Sequence, residues 1–368
     1  MSSKKDKFSS KDKNYMRLAM NLAKARIGLT GENPSVGCVI VKNNKIISIG
    51  QTNYNGRPHA EYNAIKYSSE DLKGSKMYIT LEPCNHYGKT PPCTNQIISK
   101  GISEVFYSID DIDKKVKGKS FKILSKKKIK VHKGLLKKEA KELYHSYFTN
   151  RVNKIPFVTG KIAMSKNKLI YSKGNQKITN KSSDKLTHFL RYKNDGILIS
   201  SKTLNIDNPK LNCRLKGYEK YSPVRIILDK NLEMRLNSNI FKSVKKNNTI
   251  IFYNLFDKSK IKIFKKKGFL LIKSRLDSKQ NINLRFVLRK LYTLGIRTLL
   301  VEGGNKLTSN FLKNKLFDQF YLFESTKNLS KRKDHIIFSS IDTLKSKYNK
   351  KSKIITGLVK NNITIYKR

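Results

Sequence analysis

The sequence predicts an α/β protein built from two domains. Three observations carry the prediction. Strand-like and helix-like segments alternate along the chain, the alternation lapses over Asn150–Ile155 and restarts at Pro156, and 368 residues suffice for two hydrophobic cores. The domains expected are 15–150 and 155–368, preceded by a disordered basic tip at 1–14.

In the first domain, apolar residues at helical spacing from Tyr15 onward predict a helix that ends near Gly28. Val36–Val41 and Ile46–Ile49 read as strands of a hairpin around the turn Lys42–Lys45. A helix opens at His59, directly after Pro58; Met77–Leu81 is a strand, and Thr94–Ser99 is a helix opened at Cys93. A strand at Glu104–Ile109, a helix at Lys119–Lys127 and a strand at Ile129–His132 follow. Leu135–Thr149 reads as one long helix leading to the boundary.

The second domain begins with a strand at Phe157–Met164, a helix at Ser183–Tyr192 and a strand at Gly196–Ser200. A loop carrying Asp207 leads to strands at Val224–Asp229, Thr249–Tyr253 and Phe269–Ile272, a helix at Leu284–Thr293 and a strand at Thr298–Glu302. Gly303 and Gly304 then turn the chain into another helix. The Lys/Ser-rich stretch Ser325–Lys353 predicts only a loop, before a final strand at Ile354–Tyr366. No GxGxxG occurs, so no Rossmann fingerprint is claimed. The strand–Gly–Gly–helix turn is instead a candidate phosphate cradle, because bare N–H groups and the helix dipole attract anions. Plain connections can share that pattern.

The chemistry concentrates between His59 and Cys93. His59 stands two residues before Glu61, Pro83 precedes Cys84, and a second cysteine, Cys93, follows nine positions later. Catalytic zinc takes three protein ligands from imidazole, thiolate or carboxylate and leaves a fourth corner open. His59, Cys84 and Cys93 supply such a set, and Glu61, on the same first helical turn as His59, is placed to move protons. This H-x-E…P-C order is the mark of zinc deaminases. Zinc lowers the pKa of water to near neutrality, and a carboxylate can carry a proton to a ring nitrogen and then to the departing amine. Two ligands at helix beginnings gain from the dipole, which favours thiolate. A purely structural zinc is the bland alternative, and His86 reads as a solvated loop histidine rather than a fourth ligand.

Lys and Arg number 79 against 26 Asp and Glu, a net charge of +53. Taken alone, that suggests a nucleic acid or an anionic membrane. The lysines are spread over the whole length among many Asn and Ile, however, so genome-wide codon bias explains them without a binding patch. The four cysteines, two of them committed to metal, leave no disulfide framework and point to a reducing compartment. No apolar run approaches the roughly eighteen residues of a membrane span, and the polar start is no secretory signal. A cytoplasmic enzyme is expected, with no membrane partner, no specific nucleic acid, and a homo-oligomer left open.

The run EPCNHYGKTPPC, with GENPSVGCVIV upstream, closely resembles the bifunctional deaminase–reductase family of riboflavin biosynthesis. GKIAMS, SSKTLNIDNPKLNCR, RIILD and VEGGNKL extend the resemblance over nearly the whole chain. It implies a cytidine-deaminase-like α/β/α zinc domain followed by a dihydrofolate-reductase-like α/β domain that uses NADPH. It implies hydrolytic deamination of a phosphorylated pyrimidine and then reduction of its ribosyl side chain to ribityl. Carried over by position, His59, Cys84 and Cys93 would bind zinc, Glu61 would shuttle protons, and Asn33, Lys89 and Thr90 would meet the substrate. Met164, Lys177, Thr203, Asp207, Gly304, Asn305, Lys306 and Leu307 would line the dinucleotide. Lys161, Asn175, Leu211, Arg214 and Glu302 would face the ribosyl substrate, with Arg214 paired to its phosphate.

Departures from the family pattern cluster in the second half. Asn167 and Lys168 stand where Asp-Gly is usual, which predicts an altered loop, and Lys177 and Asn175 replace a common aromatic and a common serine. Reduced reductase activity is the expectation. Three rival functions follow: a deaminase whose second domain has lost catalysis, a nucleic-acid-binding or tRNA-editing deaminase that uses the basic surface, and a zinc-stabilised structural protein.

Overall fold

The computed structural model describes residues 7–88, 90–174, 178–246, 248–354 and 362–368. Contacts divide the chain into two units, Met1–Val152 and Asn153–Arg368.

The first unit runs α1 (Ser10–Arg26), β1 (Gly37–Lys42), β2 (Lys45–Gln51), α2 (Ala60–Lys66), β3 (Lys76–Ile79), α3 (Cys93–Ser99), β4 (Glu104–Tyr107), α4 (Lys119–Lys126), β5 (Lys130–Lys133), α5 (Lys137–Leu143) and α6 (His145–Asn153). Its five strands are ordered β2-β1-β3-β4-β5. β1 is antiparallel to both neighbours, and β3, β4 and β5 are parallel. α1 and α2 lie so close to the sheet that no side chain fits beneath them. A Cβ on Gly37 would meet Ala19 O at 1.9 Å, and one on Gly50 would meet Ala60 O at 2.1 Å. Glycine at these two positions lets α2, which carries the H-x-E motif, seat directly on β2.

Two expectations fail here. The tip at 1–14 is shorter than predicted, because helix begins at Ser10. Ser9 Oγ accepts from Asp12 N at 3.1 Å, Asp12 Oδ2 accepts from Ser9 N at 3.1 Å, and Tyr78 OH ties Asp12 to the sheet at 2.6 Å. This capping box satisfies the bare helix N-terminus, so the lysines around it do not prevent helix. The single helix at 135–149 is two helices, broken at Tyr144, whose buried hydroxyl meets Thr80 Oγ1 at 2.6 Å.

The second unit holds β6 (Phe157–Met164), β7 (Leu169–Ser172), α7 (Lys181–Tyr192), β8 (Gly196–Ser200), α8 (Ser201–Asp207), β9 (Val224–Leu228), α9 (Asn239–Lys242), β10 (Thr249–Tyr253), α10 (Lys258–Lys267), β11 (Leu270–Lys273), α11 (Leu284–Thr293), β12 (Thr298–Val301), α12 (Asn305–Lys313), β13 (Gln319–Glu324), β14 (His335–Ile337), α13 (Ile341–Lys347), β15 (Lys350–Lys353) and β16 (Asn362–Lys367). Nine strands form one sheet, β11-β10-β9-β8-β12-β6-β13-β16-β15. Pairing is parallel from β11 to β13, and β16 and β15 close that edge antiparallel.

Alternate residues of the central strands enter two separate cores. Leu198, Ile226 and Phe252 face one, and Ile197, Ile227 and Ile251 the other. Both faces are therefore covered, which is why these strands read as unbroken apolar runs. The stretch Ser325–Lys353, expected as loop, contains β14, α13 and β15. Of the predicted last strand Ile354–Tyr366, residues 362–366 form most of β16, which pairs antiparallel with β15, Ile354 lies outside any strand, and residues 355–361 lie outside the described residues. β15 is the sheet's edge, with all four residues exposed.

Candidate active sites

In the first unit, the H-x-E turn and the two cysteines converge. His59 caps α2, Glu61 sits in its first turn, and Cys93 is the first residue of α3. Cys84 arrives on the loop after β3. His59 Nδ1 lies 3.6 Å from Cys84 Sγ and 3.4 Å from Cys93 Sγ, and Cys93 N donates to Cys84 Sγ at 3.3 Å. Among the described residues these three ligand atoms form a group within 4.8 Å of one another. One imidazole and two sulfurs so placed fit tetrahedral zinc with an open fourth position.

The loop that carries Cys84 is held from behind. Buried Glu82 accepts from Asp111 N (3.3 Å), Gly118 N (3.0 Å) and Ser120 N (3.2 Å). Ser120 Oγ donates to Pro83 O at 2.5 Å, and Asn85 Nδ2 donates to Val116 O at 3.0 Å. Both residues flanking Cys84 are thus tied to the segment entering α4, which fixes the direction of the thiol.

Charges inside the site are tuned by burial and by one another. The Cys84 thiol is held down to about 4, chiefly by hydrogen bonding with Cys93 and further by His59, against the effect of burial. The same hydrogen bond, with burial, pushes Cys93 up. Burial raises the Glu61 carboxyl above its ordinary 4.5, and the nearby His59 opposes that rise. Glu61 is buried at 3% exposure, so a proton placed on it is not shared freely with bulk water.

Asn33, Arg57, His59, Glu61, His86 and Thr90 line one cavity with Cys84. Asn33 Nδ2 donates to Gly56 O at 3.1 Å, which orients its amide. Lys89 lies outside the described residues. His86, expected to be solvated, is only half-buried in this cavity wall, and its Nδ1 is enclosed without a hydrogen-bond partner. Arg57 was not singled out from the sequence. The available signal was its place immediately before Pro58-His59.

In the second unit, the C-terminal ends of β6, β8 and β12 open on a cleft lined by Lys161, Thr203, Asp207, Glu302, Gly303 and Gly304. Gly304 caps α12, and Gly304 N donates to Thr203 Oγ1 at 3.3 Å, so the two-glycine turn and α8 meet at the cleft. Asp207 is not in a loop as expected but ends α8, a helix capped by Ser200 Oγ, which accepts from Thr203 N at 3.3 Å. The bare turn and the helix N-terminus fit the phosphates of a dinucleotide.

Glu302 is engaged by a residue the sequence reading missed. Arg191 Nε and Nη2 donate to Glu302 Oε1 and Oε2, each at 2.9 Å, and Arg191 Nη1 donates to Asn212 O at 3.2 Å. Burial pushes the Glu302 carboxyl up, but the Arg191 guanidinium and Lys161 hold it below its ordinary value. Burial in turn lowers Lys161, partly offset by Glu302. Arg191 shares the buried stripe of α7 with Thr187 and Ser183, four and eight positions earlier. An arginine on that stripe was the available signal.

The other expected residues are more scattered. Met164, Leu211 and Leu307 have their side chains in the cores, and the Met164 carbonyl accepts from Ser325 N at 2.9 Å. Arg214 is exposed and donates at 3.0 Å to the side-chain Oδ1 of Asn212, the same residue whose carbonyl Arg191 holds. Asn305 and Lys306 lie in the first turn of α12, Asn305 bonded to Ser339 Oγ at 3.0 Å and Lys306 exposed. Asn175 and Lys177 lie outside the described residues.

The loop with Asn167 and Lys168 closes despite its departures. Asn167 Oδ1 accepts from Ser165 Oγ (2.6 Å) and Leu329 N (3.1 Å), and its Nδ2 donates to Leu329 O at 2.8 Å. An amide thus supplies acceptor and donor together. Lys168 takes the left-handed turn, at φ 63°.

The family model described as the cytidine and deoxycytidylate deaminase zinc-binding region matches residues 9–109, and the RibD C-terminal domain matches 156–359. The riboflavin biosynthesis protein RibD of Aquifex aeolicus is 38% identical over 320 residues, covering 86% of this chain and 87% of the relative. That of Actinobacillus pleuropneumoniae is 35% identical, covering 86% and 84%. Among solved structures, the Thermotoga maritima diaminohydroxyphosphoribosylaminopyrimidine deaminase/5-amino-6-(5-phosphoribosylamino)uracil reductase aligns with a TM-score of 0.81 at 32% identity, covering 97% of this chain and 98% of that one.

Proposed function

This chain belongs to the RibD family of riboflavin biosynthesis proteins, with a deaminase domain followed by a reductase domain, and on that premise we propose that it performs both reactions. The first unit removes the 2-amino group of 2,5-diamino-6-(5-phosphoribosylamino)pyrimidin-4(3H)-one as ammonia. The second reduces the ribosyl side chain of the product to ribityl with NADPH. The observation that carries the reading is the buried Glu61 carboxylate beside the His59, Cys84 and Cys93 ligand group.

Zinc bound by those three residues supplies Lewis acidity at neutral pH. Every other task falls to the chain. Glu61 takes one proton from the attacking water and delivers it to the ring nitrogen. It then takes the second from the newly added hydroxyl and delivers it to the departing amine, so that a C–O bond replaces the C–N bond and ammonia leaves. Asn33 orients the pyrimidine through its amide, and the walls of the cavity limit access of bulk water.

NADPH supplies the hydride in the second unit. The Gly303-Gly304 turn and Thr203 would receive its phosphates, and Glu302, fixed by Arg191, would hold sugar hydroxyls. Lys161 Nζ, made a readier proton donor by burial, would meet the sugar oxygen as the ring opens. The four free cysteines suit a reducing, cytoplasmic setting, and no helix among the described residues is long and apolar enough to cross a membrane.

The test is one reaction containing purified protein, the diaminopyrimidinone ribosyl-phosphate and NADPH, with ammonia and NADPH absorbance followed together. Ammonia release followed by falling absorbance is expected. Ammonia with flat absorbance would refute the reductase half, and bound zinc without ammonia would refute the substrate.

A further inference from the structure

Helix α7 does more than cover the sheet. His188 and Arg191, one turn apart on its buried stripe, both reach the irregular segment Asn212–Arg214. Arg191 Nη1 donates to Asn212 O at 3.2 Å, and Arg214 N donates to His188 Nδ1 at 3.2 Å. Between them Cys213 Sγ donates weakly to His188 O at 3.6 Å, and Cys213 N donates to Ser222 Oγ at 3.1 Å. The segment follows Leu211, whose left-handed φ of 54° and buried side chain fix where it starts. It belongs to no helix or strand, so these contacts give it its shape, and two of its backbone groups rest on α7.

A ring nitrogen accepts only while it carries no proton. The bond from Arg214 N therefore places the His188 proton on Nε2 and leaves the imidazole neutral. The surroundings favour that state. Burial, and then the guanidinium groups of Arg191 and Arg214, hold His188 below its ordinary 6.5, opposed by the Asn212 carbonyl and by Glu302. These groups reach it from α7 itself, from the segment and from the residue that follows β12. Protonation would set a new N–H against the Arg214 N–H and add a third positive charge beside two guanidinium groups. The contact is thus complete above the ordinary value and is lost as pH falls through the lower folded value.

Resting on the reductase reading above, we infer that His188 is a positioning residue: its Nδ1 holds the Asn212–Arg214 segment on α7 and so aims Arg214 at the anionic substrate of the second unit. Arg191 links this arrangement to the cleft, because one guanidinium holds both Asn212 O and Glu302. His188 touches no reacting atom. It acts on substrate affinity and not on the hydride step.

The test uses the full chain, with NADPH oxidation followed on the deaminated ribosyl-phosphate in wild type, His188→Asn and His188→Phe, at about pH 8 and about pH 5. An asparagine Oδ1 stands where Nδ1 stood and accepts without titrating, whereas phenylalanine keeps a ring and removes the acceptor. Loss of one hydrogen bond should raise KM for the ribosyl-phosphate by about threefold to tenfold in His188→Phe at the higher pH. Both kcat and KM for NADPH should stay within about twofold. His188→Asn should restore KM there. The substrate phosphate also takes a proton over this range, so the acid arm is read as the ratio of wild type to His188→Asn. Wild-type KM should rise above that of the variant by about twofold or more at the lower pH. Parallel pH profiles in the two proteins, a His188→Asn as impaired as His188→Phe, or equal losses in kcat and in both KM values, would mean that His188 only fills space and would overturn the proposal. A second readout does not need turnover. Protection of residues 209–218 from hydrogen exchange, corrected for the intrinsic pH dependence, should fall between the two pH values in wild type and hold in His188→Asn. If that pattern is seen while no protein oxidises NADPH, the reductase reading fails and the positioning role stands. Wild-type protection that does not respond to pH refutes the role.

Discussion

Glu302→Ala should do more than weaken reduction; it should loosen the strand and helix that frame the reductase cleft. The side chains of Arg191 and Glu302 are only 10% and 14% exposed, and their two parallel hydrogen bonds are each 2.9 Å long. Removing the carboxylate leaves Arg191 with Asn212 O as its acceptor and sets its charge against that of Lys161. Breaking a buried pair from one side costs about 3–5 kcal/mol, which raises a local opening constant by about a hundredfold to a few thousandfold. Hydrogen exchange followed by mass spectrometry, on peptides covering residues 298–313, reads this directly. Peptides from β3 and β4 of the other unit serve as the unaffected reference. Replacing both partners, Arg191→Met with Glu302→Leu, should restore most of the protection while leaving reduction absent, because no charge is then stranded. The pH dependence has a definite sign. Glu302 is held below its ordinary 4.5, so the pair's contribution is complete above that value and is lost as pH falls through the lower folded value. The gap between wild type and Glu302→Gln should therefore narrow in acid. A loss below about 1 kcal/mol in Glu302→Ala, or a double variant as unstable as the single one, would refute the reasoning.

Glu82→Ala should strand three N–H donors, two of them buried, and free the Cys84 loop, lowering zinc affinity by about tenfold to a hundredfold in chelator competition. Unchanged affinity would mean that the clamp does not orient the thiol. Lys168→Gly should stabilise the second unit by about 0.5–1 kcal/mol in thermal unfolding, since a left-handed φ of 63° suits glycine better than lysine. A loss of stability there would point to an unrecognised role for the lysine side chain.

The metal group was legible because its residues lie within one short stretch and each has a distinctive chemistry. Glu82, Ser120 and Asn85 were not, because a clamp built on backbone N–H and C=O groups leaves no side-chain pattern. Arg191 and Glu302 are 111 positions apart, and no periodicity links them. The long parallel strands were read closely because burial on both faces leaves continuous apolar runs. The break at Tyr144 was hidden because no glycine or proline marks it, and the residues on both sides keep helical spacing. The cap at Ser9 and Asp12 was present in the sequence, but the lysines around it were read as disorder. How the loop at Asn167 closes was not legible, because an amide can serve as acceptor and donor to a residue as distant in sequence as Leu329.

The exposed strand β15, Lys350–Lys353, ends an otherwise open row of backbone donors and acceptors. Such an edge invites another chain to add a strand. Here an approaching copy would bring its own ammonium groups against Lys350, Lys351 and Lys353, so like-charge repulsion guards the margin of the sheet. The lysine enrichment therefore discourages edge-to-edge aggregation at this margin. That guard weakens as salt shortens the Debye length from about 10 Å at 0.1 M to about 3 Å at 1 M.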